Sequence, residues 1–273
     1  MSFWRKIFNR AGKGSNIVES SDTKLVGLGS VNIMDLEKLI APLIRAATKI
    51  EVQPASRPPE NAQLLSHFGG QPYFEKGEKW PLTRSGRNMQ FIFQVFNEEG
   101  LELPQEIKLI QFFYDWEEFP WDTTDDGWLV KIYKELDVEN IVNIPRPAEL
   151  DESKYCAIKF KPIKSLPDWE GIDAVCDKAS AVSCALNSEE PWDAYENAVK
   201  RLVGEEDYLS QLGGYPKWVQ GEITPKNKNG EHMKLLFQID SEENAELMWG
   251  DVGLIYVFYD EKSGETAFNL QCH

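Results

Sequence analysis

Thirty residues of this chain recur 144 positions downstream without a gap. Residues 66–95 align with 210–239, and eleven of the thirty positions are identical. They are Ser66/Ser210, Gly69/Gly213, Gly70/Gly214, Pro72/Pro216, Gly77/Gly221, Glu78/Glu222, Pro81/Pro225, Gly86/Gly230, Met89/Met233, Phe93/Phe237 and Gln94/Gln238. A one-residue shift then matches Leu109-Ile110 and Phe113-Tyr114-Asp115 to Leu254-Ile255 and Phe258-Tyr259-Asp260. The shared residues are those that dictate backbone shape. Adjacent glycines reach positive φ or allow close backbone approach, and a proline two residues later fixes φ and removes a donor. Together they specify a turn, then a Gly-Glu-x-x-Pro turn, then a strand carrying Phe-Gln. The period is too long for a solenoid. Two similar halves about a pseudo-twofold axis are expected.

The rest of the chain predicts an α+β fold that is β-rich and internally duplicated, with two similar antiparallel-sheet halves and flanking helices. Residues 12–31 are rich in Gly, Ser, Thr and Asp and read as a flexible lead-in. Leu36, Leu39, Ile40, Leu43 and Ile44 have helical spacing. Asp35 is the expected cap there, and Pro42 predicts a kink or two short helices. Strands are expected at 50–53, 89–96, 107–114, 128–133 and 155–161. A helix capped by Asp168 and another with Pro191 in its first turn follow. Strands return at 233–240, 252–260 and 266–271. The expected division is 1–31 as a basic tail and lead-in, 32–150 as the first half and 151–273 as the second.

Charge narrows the partners. The 273-residue chain carries −16. Residues 1–14 hold Arg5, Lys6, Arg10 and Lys13 and no acid, so the remainder sets 25 bases against 45 acids. Such a body repels phosphate backbones, which argues against nucleic acid. It speeds association with a basic protein, and it also serves plain solubility. The four cysteines, Cys156, Cys176, Cys184 and Cys272, lack metal spacing. Cys176 and Cys184 would lie about 12 Å apart on one helix, too far for a disulfide. Free thiols in a reducing cytoplasm are expected. No run reaches transmembrane length. Phe3, Trp4, Ile7 and Phe8 are broken by Arg5 and Lys6, so no signal-peptide core forms. That segment reads either as a loose tail or as a weak contact with an anionic membrane surface.

Three stretches carry a family resemblance. They are Leu212-Gly213-Gly214-Tyr215-Pro216-Lys217-Trp218, the strand end Phe237-Gln238-Ile239-Asp240-Ser241, and Met248-Trp249-Gly250-Asp251-Val252-Gly253. Phe68-Gly69-Gly70-Gln71-Pro72-Tyr73, Trp80-Pro81 and Phe93-Gln94 fit the same pattern in the first half. They resemble the YwqG family of bacterial proteins, a family without assigned function, over about residues 30–271. The resemblance implies a bacterial cytoplasmic setting and a duplicated β-rich fold. It implies no reaction and no catalytic residue.

Candidate site residues have to come from chemistry. Nucleophile-elbow and P-loop motifs are absent from the sequence. His67 stands beside the first Gly-Gly turn, but its counterpart is Gln211, so the turn does not require imidazole. Gln94 and Gln238 each follow a strand Phe. They either hold the Gly-Gly-x-Pro turn through backbone hydrogen bonds or recognise a ligand near the pseudo-twofold axis. Trp249-Gly250-Asp251 has no counterpart in the first half, where Pro104-Gln105-Glu106 stands. Trp249 offers an apolar face, and Asp251 either caps a turn or accepts from a ligand. Trp121 lies in an acidic aromatic loop, 115–127, with Trp116. No cofactor and no metal are expected. The favoured reading is a cytoplasmic binding protein, regulatory or toxin-immunity-like, that engages a basic protein partner. The alternative is a small-molecule enzyme or ligand-binding protein with its site between the halves.

Overall fold

The computed structural model describes residues 32–55, 58–205 and 208–273. The basic tail and lead-in expected at 1–31 lie outside the described residues.

Helix α1 spans Ile33–Ile40 and passes at Ala41–Leu43 into a tight 3-10 turn, with Pro42 where the break was expected. Its cap is Asn32 rather than Asp35. The Asn32 side chain accepts from Met34 N, and Asp35 accepts from Asn32 N, closing a capping box. Strand β1 is Arg45–Pro54, longer than its apolar segment suggested. The strands β2 (His67–Phe68), β3 (Gln90–Phe96), β4 (Leu109–Tyr114) and β5 (Trp128–Tyr133) follow. After β6 (Cys156–Ser165) come α2 (Ile172–Leu186) and α3 (Pro191–Val203). The chain ends in β7 (Gln211–Gly213), β8 (Lys234–Asp240), β9 (Leu254–Tyr259) and β10 (Thr266–Gln271). Pro191 opens α3 as expected. At α2 the cap position is Gly171. Asp168 acts one turn earlier, its Oδ1 accepting from Gly171 N at 2.8 Å.

Two similar antiparallel-sheet halves were expected, and the ten strands form one antiparallel sheet. Its order is β10-β9-β8-β7-β1-β6-β2-β3-β4-β5. The fusion comes from the two long strands, β1 and β6, which pair in register over ten residues from Arg45↔Ser165 to Pro54↔Cys156. Each then borders the short strand that follows the other: β1 takes β7, and β6 takes β2.

On either side of this centre the same contacts recur 144 residues apart. Gln94 Oε1 accepts from Tyr73 N and Gln238 Oε1 from Lys217 N, both at 2.9 Å. Their Nε2 atoms donate to Leu65 O and Leu209 O. Ser66 Oγ and Ser210 Oγ accept from Phe96 N and Asp240 N, both at 3.0 Å. Strands β3 and β8 bulge at Phe91/Phe93 and Leu235/Phe237. Phe93 and Phe237 meet edge to face, their centroids 5.0 Å apart. The glycine pairs are required by space as well as by φ. A Cβ at Gly69 (φ 58°) would lie 2.3 Å from Lys154 O, and one at Gly214 (φ 71°) would lie 2.8 Å from Ala47 Cβ.

The main core draws on both ends of the chain: Ile50, Val52, Phe93, Phe112, Phe237, Trp249 and Phe268. The three helices pack together through Leu36, Ile40, Ile172, Ala179, Tyr195 and Val199. The sheet is nearly closed. Trp128 on β5 stacks on Phe268 on β10 at 5.4 Å, and the residues before β5 cover the outer edge of β10. Leu270 N donates to Trp121 O at 2.8 Å, and Asp122 bridges Asn269. Among the described residues no helix is long and apolar enough to cross a membrane.

Candidate functional site

Covering that edge brings two loops together, 115–127 and 241–253. The first is tied at its base. Asp115 is buried, and Arg87 donates to its Oδ2 from Nε at 3.0 Å and Nη2 at 2.8 Å. Its Oδ1 accepts from Glu117 N, and Asp115 N donates to Gly127 O. The loop therefore holds its shape without a regular element, and it presents Trp116 and Trp121 at 37% and 46% exposure. The second loop is anchored by Trp249, which is fully buried. Trp249 N donates to Ser241 Oγ, and Nε1 donates to Asp240 O.

The loops meet through rings. Trp116 stacks on Trp249 with centroids 5.0 Å apart and planes 22° apart, and Tyr114 abuts the same indole at 5.2 Å. Gly250 lies next to Trp121, so that a Cβ there would sit 3.9 Å from Trp121 Cη2. The second loop also exposes Met248 and Val252. Among the described residues, the three non-glycine positions with positive φ are Phe119 (50°), Glu246 (56°) and Val252 (51°), all in these two loops. For β-branched Val252 that conformation is an outlier. Strain of this kind persists only where surrounding contacts over-determine the backbone, and it gathers at functional surfaces.

The apolar rings are rimmed by acids. Glu117, Asp122, Asp125 and Asp251 are exposed and form no ion pair among the described residues. Glu118 and Asp126, by contrast, are paired with Arg87 and Arg84. Hydrogen bonds from Thr124 hold the Asp122 carboxyl below its ordinary range, so it stays charged. A flat aromatic face beside unneutralised carboxylates is suited to a lysine or arginine side chain, whose cation meets both charge and ring.

A family model described as a domain of unknown function, DUF1963, matches residues 66–266. The chain belongs to the DUF1963 family. No curated protein matches it. The matched span contains both loops and both Gly-Gly turns of this DUF1963 chain, together with every residue singled out from sequence.

Three of those residues share the surface just described: Trp121 and Asp251 exposed on it, and Trp249 as the buried ring beneath. The other three lie elsewhere. Gln94 and Gln238 are fully buried, with their amides engaged on backbone at the two turns. His67 is fully buried between Phe91 and Tyr155, with Nδ1 2.7 Å from Gly69 O. Burial lowers its pKa to about 4, against smaller opposing hydrogen bonds. Asp168 is a further carboxylate perturbed by its surroundings. Burial pushes it up to about 6, opposed first by the Lys217 charge and then by hydrogen bonds from Trp218 N and Gly171 N. Among the described residues no group of three or more His, Cys, Asp and Glu is placed to hold a metal ion.

Sequence reasoning did not find Arg87, Phe119, Met248 or Val252. Met248 and Val252 stood in the 248–253 stretch and Phe119 in the 115–127 loop, but none was singled out as a site residue. The backbone strain at Val252 has no signature in its residue type.

Proposed function

We propose that this DUF1963 protein is a duplicated, YwqG-like protein of the bacterial cytoplasm. We propose further that it binds a protein partner through the acidic aromatic surface of loops 115–127 and 241–253. The observation that carries this reading is the exposed Trp116 and Trp121, bridged by Phe119 and rimmed by carboxylates without ion pairs among the described residues, on a strained, over-determined backbone. Exposed aromatic anchors beside a buried stack resemble binding hot spots. The acids select a basic segment and speed its encounter. Regulatory and toxin-immunity roles both use such a surface. The matched hydrogen bonds 144 residues apart support the duplication, with 32–150 and 151–273 as its halves. They also explain why the identical residues specify scaffold and leave binding to unmatched loops.

A titration tests the surface. The intact protein is mixed with a lysine- and arginine-rich dodecapeptide, and separately with an acidic peptide of equal length, while Trp fluorescence is followed. The basic peptide should bind, weaken as salt rises, and lose at least tenfold with Trp121→Ala or Asp251→Asn. Equal binding of the acidic peptide, or indifference to both substitutions, would overturn the reading.

A second reading, a ligand site between the halves, is supported by a cleft of about 660 Å³. It is lined by Glu102–Glu106 from the first half and Gly213, Gly214, Lys234 and Tyr259 from the second.

A further inference from the structure

Comparing matched positions shows one place that is plugged in the first half and open in the second. Phe74, Trp80, Met89, Phe91 and Phe113 form a buried cluster, covered by Val142, Ile144 and Leu150. Trp80 is its plug. Its ring lies 5.7 Å from Phe74 and 6.0 Å from Phe113, and Nε1 donates to Met89 O at 2.8 Å. The matching residues Trp218, Met233, Leu235 and Phe258 cluster again in the second half. At the position of Trp80, however, stands Thr224. The result is a cleft of about 330 Å³, lined by those four side chains and Thr224 and walled by Val175 of α2 and its cap residue Gly171. That volume lies at the small end of the range for small-molecule sites, roughly 300–1,000 Å³.

The polar lining changes in one direction. Asn88 becomes His232 and Gln90 becomes Lys234. Cys156 faces Phe68 as Thr48 faces Leu212, so Ser153 is matched by Arg45. Three neutral positions are thus an imidazole, an ammonium and a guanidinium around one opening, with Glu222 the acid in its lining. Lys234 is shared with Glu261 at 2.9 Å. The Arg45 guanidinium lies 3.9 Å over the Tyr215 ring and forms no ion pair among the described residues. The ring orients it while leaving its donors for a ligand, and a guanidinium fork matches carboxylate or phosphate. With Lys234 held by Glu261, Arg45 is the cation left to meet a ligand in this lining.

We propose that this cleft binds a small aromatic anion. The ring takes the place that Trp80 fills in the first half, against Trp218, Met233 and Phe258, and the anionic group sits on Arg45. This cleft adjoins the one lined by 102–106, sharing Arg45, Gly214 and Lys234 with it, and the proposal goes beyond both readings above.

The test uses the intact protein with phenylacetate, indole-3-acetate and phenyl phosphate, and with neutral phenylacetamide as control. Binding is read by calorimetry and by the Trp218 indole N–H resonance. At least one anion should shift that resonance and bind tenfold or more tightly than the amide. Preference among the three assigns the head group. Arg45→Gln should cost tenfold or more, and Thr224→Trp, which restores the plug, should abolish binding. Val175→Trp blocks the opening from α2 and serves if Thr224→Trp fails to fold. The proposal is overturned if the amide binds as well as the acids. It is equally overturned if a folded plugged variant still binds, or if none of the anions moves the Trp218 resonance at millimolar concentration. None of these outcomes bears on the basic-peptide titration, which uses another ligand and the Trp121→Ala and Asp251→Asn variants.

Discussion

Replacing His67 by glutamine should make the protein more resistant to acid. His67 has no exposed surface and a pKa lowered from 6.5 to about 4. Between those values the unfolded chain binds a proton that the folded chain refuses, so stability falls as the pH falls. The contribution is complete above pH 6.5 and lost on descent to pH 4. At about 1.4 kcal/mol per pH unit, the loss amounts to about 3 kcal/mol. Glutamine fits because the matched position already uses it. Gln211 Nε2 donates to Gly213 O at 2.8 Å, as the His67 Nδ1–H donates to Gly69 O. Urea unfolding at pH 7, 6, 5 and 4 is the assay. Wild type and His67→Gln should agree within about 1 kcal/mol at pH 7 and diverge to about 3 kcal/mol in favour of the variant at pH 4. Parallel losses in the two proteins would refute the reasoning, because the ring would then not be held neutral by burial.

Asp168 should act in the opposite sense. Its folded pKa of about 6 lies above the ordinary 3.8, so the folded chain binds the extra proton and stability declines as pH rises from about 4 to 6. Asp168→Asn should flatten that decline in the same urea series. Gln238→Leu strands Lys217 N and Leu209 O, at about 1–3 kcal/mol each. A thermal midpoint unchanged by it would show that the turn does not depend on the amide. Val252→Gly removes a left-handed penalty of about 1–2 kcal/mol, partly offset by about 0.5–1 kcal/mol of glycine entropy. It should raise the midpoint slightly while weakening basic-peptide binding at the loop. A lower midpoint would contradict the strain.

Local structure was legible because its determinants are local. Pro42 marked the end of α1, Pro191 the start of α3, and the aromatic and β-branched runs marked β3, β4, β5 and β8 to β10. The two-residue strand β2 and the three-residue strand β7 were not legible. They are too short for periodicity, and their partners lie far along the chain. The single sheet was hidden for the same reason, since nothing in the Lys-rich segment of β6 announces β1 as its neighbour. At the candidate site, the difference between the halves drew attention to 115–127 and 249–251, which the fold brings together. The repeated Gln94 and Gln238 drew suspicion because buried amides serve structure and recognition equally well, and only their backbone partners distinguish the two. Arg45 and Thr224 escaped notice because each matters only against its matched residue, Ser153 or Trp80.

The exchange of neighbours between β1 and β6 also bears on how the chain is made. A ribosome releases β1 long before β6 and β7, the strands that flank it. During that interval β2 to β5 can form their local ladder, while β1 has no permanent partner. Closing such distant pairs is slow, and an unpaired strand is a hazard for association with other nascent chains. The alternating burial of β1, with Lys49 and Glu51 on one face and Ile50 and Val52 on the other, leaves charge along the waiting strand. Because both neighbours of β1 are made so much later, its sequence must tolerate the longest wait for a first partner.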